Sequence, residues 1–120
     1  MLIDFMDGTT ITKIPYASEY NLMVRRLTPA ELDAMKAELN TMIDADEIHT
    51  AGWMPGSDWS STPFQPLYEK AALRNYDLSA KMFGLLVWVV FMERPERWSS
   101  GRFEKDGVDI GSRTYFRLKP

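Results

Sequence analysis

An α+β fold in one small domain is what these 120 residues predict, and three observations carry that reading. The stretch Tyr68 to Met92 ends in the unbroken apolar run Met82 to Met92, with its apolar positions recurring at helical spacing. A capping sequence, Thr28-Pro29-Ala30-Glu31, opens another helix. Asp-Gly pairs at Asp7-Gly8 and Asp106-Gly107 each stand between β-prone runs, the strongest short hairpin signal. The expected architecture is a long central helix and one or two further helices, packed with a small antiparallel sheet from N-terminal and C-terminal hairpins.

In chain order, residues 2–16 read as the first hairpin, with Leu2 to Met6 and Thr10 to Ile14 as its arms. The tetrapeptide Met6-Asp7-Gly8-Thr9 is similar to the phosphatase loop of the haloacid dehalogenase superfamily. In that loop a nucleophilic aspartate stands two positions before the second aspartate, where this chain has Phe5, so the hairpin reading is kept. Residues 17–27 fit both periods. Tyr20, Leu22 and Val24 alternate like a strand, whereas Tyr20, Met23, Val24 and Leu27 share a helix face, and a short helix is the preferred reading.

The next helix is expected from 29 to about 44. Thr28 is placed to accept an orphan N–H, Glu31 to reach back, and Pro29 sits where its missing N–H costs nothing. Leu32, Met35, Leu39 and Met42 form its inner stripe. Beyond it, Asp44-Ala45-Asp46-Glu47-Ile48-His49 crowds carboxylates around the sole histidine. Divalent-metal ligation and an acidic helix exit both fit this segment; the exit is preferred, and no metal or cofactor is expected.

Residues 50–65 form a loop punctuated by Gly, Pro and Ser that carries Trp53, Trp59 and Phe64. Turn residues bring such a loop to the surface, while tryptophan is costly to expose. Either the tryptophans fold back as lids on the central helix, or one is presented as an interface anchor. Thr62-Pro63 with Gln65 repeats the capping logic at the start of the central helix. Ala72, Tyr76, Ala80, Phe83, Val87 and Phe91 make one face of that helix, and its second half is apolar all round. A break at Asn75-Tyr76-Asp77, with Asp77 as a second N-cap, is left open, and Pro95 ends the helix. Past it come the Asp106-Gly107 hairpin and a last strand from Arg113 to Leu118. Alternation there sets Arg113, Tyr115 and Arg117 against Thr114, Phe116 and Leu118.

Composition narrows the function classes. No cysteine means no disulfide, thiolate metal site or thiol nucleophile. The apolar run is too short to span a bilayer, so a soluble, cytoplasmic protein without membrane contact is expected. The net charge of −3 conceals a gradient, acidic over residues 1–60 and basic over 94–120. Such polarity belongs either to a surface whose halves pair within the fold or to an association face. The glycines make neither a dinucleotide fingerprint nor a P-loop, and no serine sits in a nucleophile elbow.

The reading that follows is a non-enzymatic module docking on another protein, with Trp53, Met54, Asp58 and Trp59 as the binding residues. Its physical type is that of an accessory or inhibitory factor such as phages and plasmids carry. The first alternative is nucleic-acid binding by the C-terminal hairpin, where Arg102, Lys105, Arg113 and Arg117 interleave with aromatics including Tyr115. A small enzyme using a carboxylate pair among Asp44, Asp46, Glu47 and Asp58 is the second.

Overall fold

The computed structural model describes residues 1–4, 6–45, 48–50, 62–101, 104–105, 108–109 and 114–118, with residues 48–50, 76, 104–105 and 108–109 described by their backbone alone. Among the described residues, three α-helices, α1 (Ala17–Arg26), α2 (Pro29–Asp44) and α3 (Tyr76–Glu93), accompany five short strands, β1 (Ile48–Thr50), β2 (Trp98–Gly101), β3 (Glu104–Lys105), β4 (Val108–Asp109) and β5 (Thr114–Arg117). A single π-helical turn, Leu67–Ala71, precedes α3. The expected α+β class is what the chain adopts, with helices and antiparallel strands sharing one core.

The predicted capping box is present at α2. Thr28 Oγ1 accepts from the Glu31 N–H at 3.2 Å, and Glu31 Oε1 accepts from the Thr28 N–H at 2.9 Å. Met35 and Leu39 are fully buried, with Leu32 and Met42 partly buried beside them, so the expected stripe faces the core. Residues 17–26 take the helical alternative, entered through Tyr16 in the left-handed conformation at φ 52°.

The central helix is broken, and it restarts at Asn75, inside the stretch where the sequence leaves a break open. The Ala72 N–H reaches back to the Leu67 carbonyl at 2.9 Å, one residue beyond α-helical reach, which makes the π turn. Leu73 and Arg74 follow with φ of 51° and 63°, and the Arg74 N–H closes on the Tyr68 carbonyl at 2.8 Å. Asn75, rather than Asp77, then caps α3, its side chain accepting from the Leu78 N–H at 3.0 Å. In the first turns of α3 the buried face departs from the predicted one: Ala80 is exposed and Ser79 is buried. Beyond that point the expectation holds, since Met82, Phe83, Leu85, Leu86, Val87, Val89, Val90 and Phe91 are all buried. α3 ends at Glu93, two residues before Pro95.

β5 lies between β1 and β2 and is antiparallel to both, with Ile48 opposite Phe116 and Ser99 opposite Phe116 on the other edge. β3 and β4 pair antiparallel, with Lys105 opposite Val108; the Asp106-Gly107 pair predicted as the turn lies outside the described residues. At the other end of the chain the Asp7-Gly8 reversal forms, closed by the Asp4 N–H on the Thr9 carbonyl at 2.8 Å and by Gly8 at φ 74°. Its arms are shorter than expected: one antiparallel bridge, Ile3 to Thr10, replaces a ladder. Residues 1–3 also bond β2 along their other edge, while the Ile11 N–H donates to the Leu2 carbonyl at 2.8 Å on the hairpin side. The Trp98 N–H donates to the Met1 carbonyl and the Ile3 N–H to the Trp98 carbonyl, both at 2.8 Å.

The long apolar helix therefore lies where α1 and α2 pack on it, and its last turn meets the sheet through Phe91. No helix among the described residues is long and apolar enough to cross a membrane.

Candidate functional site

The tryptophan-bearing loop is a site defined by its two attachments. On one side β1 is held by β5, with His49 opposite Tyr115 and Thr50 opposite Thr114. On the other, Thr62 Oγ1 accepts from the Phe64 N–H at 3.2 Å, and Phe64 is buried with its ring edge-on to Phe83, centroids 5.5 Å apart. The capping logic read at Thr62 is thus only partly realised, since the Gln65 amide turns away to donate to Glu69 at 3.1 Å. Of the aromatic residues assigned to this loop, Phe64 belongs to the core. Trp53, Met54, Asp58 and Trp59, the residues assigned to partner binding, lie outside the described residues.

The basic and aromatic residues of the C-terminal region separate. Tyr115 and Trp98, each 2% exposed, enclose Phe91, and the Tyr115 ring stacks flat on it. Tyr115 is therefore a core residue whose ring face is already occupied, which corrects its expected role as a stacking platform for bases. The expected alternation along β5 also gives way. Thr114 and Tyr115 are both buried, Phe116 is half-buried, and Arg117 is the exposed residue of the strand. Lys105 lies in β3, while Arg102 and Arg113 lie outside the described residues.

The acidic exit of α2 has a partner that sequence reasoning missed. Arg94, at the end of α3, carries a guanidinium 11% exposed that hydrogen-bonds Asp44, Asn40 Oδ1 at 2.8 Å and Glu96 Oε2 at 2.8 Å. Glu96 also accepts from the Trp98 indole N–H at 3.1 Å. The Arg94 hydrogen bonds hold the Glu96 carboxyl down to about 2, against some opposing desolvation, and the indole bond adds to the lowering. One arginine thus ties the end of α2 to the start of β2. Nothing in the residues around Arg94 announces a partner some 50 positions earlier; only the charge gradient hints at it.

Other acids of the first third are also paired across the fold, by bases of the middle segment and not of the basic end. Glu19 pairs with Lys81 at 3.0 Å and Glu31 with Lys70 at 2.7 Å. Asp44, a member of the candidate carboxylate pair, is engaged by Arg94, while Asp46, Glu47 and Asp58 lie outside the described residues. His49 is in β1, an edge strand of the sheet, where the sequence predicts an acidic helix exit. Among the described residues no three His, Asp or Glu side chains are grouped so that they could hold a metal ion.

Two further features break local rules. Tyr16 is 68% exposed, with the Lys81 ammonium 4.7 Å from its ring centroid. Leu73 is 64% exposed on left-handed backbone that disfavours any branched side chain. No family model, curated protein or solved structure matches this chain.

Proposed function

We propose that the chain is a small interaction module that docks on another protein through Trp53, Met54, Asp58 and Trp59, as an accessory or inhibitory factor. One observation carries the choice over the nucleic-acid alternative: Trp98 and Tyr115, aromatics of the C-terminal region, are packed around Phe91. A single-strand binder needs ring faces open to bases between its basic side chains, and these two are not open. The attachments of the loop support the same reading. A segment carrying two tryptophans leaves a paired strand and returns to a buried phenylalanine, so its ends are fixed before any partner arrives, which lowers the entropy lost on docking.

The test compares the native protein with Trp53→Ala and Trp59→Ala. Each immobilised protein is exposed to an extract of its source, the captured partner is identified, and its affinity is titrated against all three. The expected result is a loss of about 2 kcal/mol or more in partner affinity for at least one variant, with an unchanged melting temperature. The reading fails if both variants melt well below the native protein without a selective loss of affinity. It also fails if the native protein binds a nucleic-acid probe with a steep salt dependence that replacing Arg113 and Arg117 flattens.

A further inference from the structure

We draw no further inference here: the strongest candidate, the exposed Leu73–Arg74 turn between the π turn and α3, is an unpartnered apolar projection, and nothing in the structure shows what covers it.

Discussion

The Tyr115 ring lies on the Phe91 ring with centroids 4.1 Å apart and planes 8° from parallel, joining the middle strand of the sheet to the last turn of α3. Trp98 approaches the same phenylalanine at 4.9 Å, tilted by 59°. Phe91 is therefore the point at which helix and sheet share one core. Phe91→Ala should cost about 3 to 5 kcal/mol, the range for deleting a buried aromatic. A double-mutant cycle with Tyr115→Leu, read by urea denaturation, should show a coupling of about 0.5 to 1.5 kcal/mol. Additive losses would mean that the stack contributes area and no specific pairing.

The helix caps rank by how completely they are made. Thr28→Ala removes one half of a reciprocal box and should cost about 1 kcal/mol, as should Asn75→Ala at the start of α3. Thr62→Ala should cost less, because its hydroxyl bond to the Phe64 N–H spans only two residues, a weaker local turn than a helix cap. Thermal melts of the three variants check the order, and a larger loss at Thr62 would contradict it.

At Leu73 a substitution should raise stability. The side chain is largely exposed, and the backbone is in a conformation that costs a branched residue roughly 1 to 2 kcal/mol. Leu73→Gly removes that cost but adds unfolded-chain entropy, leaving an expected gain of about 0.5 to 1 kcal/mol. A lower melting temperature for Leu73→Gly would show that the leucine makes contacts that outweigh its strain.

Glu96 sets an acid dependence. Its carboxyl is held well below its ordinary value of 4.5 in the folded protein, to about 2, so the folded state favours the ionised form. The resulting stability is fully present above about pH 4.5 and disappears as the pH falls toward 2. At neutral pH, Glu96→Gln should cost on the order of 1 to 2 kcal/mol, a figure that allows for partial solvent screening of the pair. The gap between the two proteins in urea melts should close over the window from 4.5 to 2. A gap that stayed constant down to pH 2 would remove Glu96 from the ionic network.

Much of this fold is legible where the signal is local. Thr28 to Glu31 spell a helix start in four consecutive residues, and the run from Met82 onward leaves no alternative to burial. The break is legible only as an open alternative at Asn75-Tyr76-Asp77, and its left-handed residues, Leu73 and Arg74, are not foreseen. Neither residue favours a left-handed backbone, and the carbonyls freed there are met from a distance, Ala71 by the Arg26 guanidinium at 2.7 Å. β1 is missed because three residues behind an acidic helix end carry no period of their own, and their pairing comes from β5 far along the chain. The Asp-Gly turn is correctly placed, but the bonds from Met1 and Ile3 to Trp98 are contained in no local pattern. For the candidate site, residue chemistry alone speaks, since Trp53 and Trp59 lie outside the described residues.

The strand order β1-β5-β2 also bears on how the chain reaches its fold. β5 follows both of its neighbours in sequence, and β1 and β2 do not touch, so no ladder of this sheet can exist before residues 114–117 arrive. Joining Ile48 to Phe116 closes one of the longest loops in the chain, and that entropy is lost before any pairing compensates. The pairing of β5 with β2, from Gly101 and Thr114 outward, closes a much shorter loop and is free to form first. Substitutions that weaken the β1–β5 pairing should therefore accelerate unfolding more than they slow folding, so the lifetime of the native state is governed from β5.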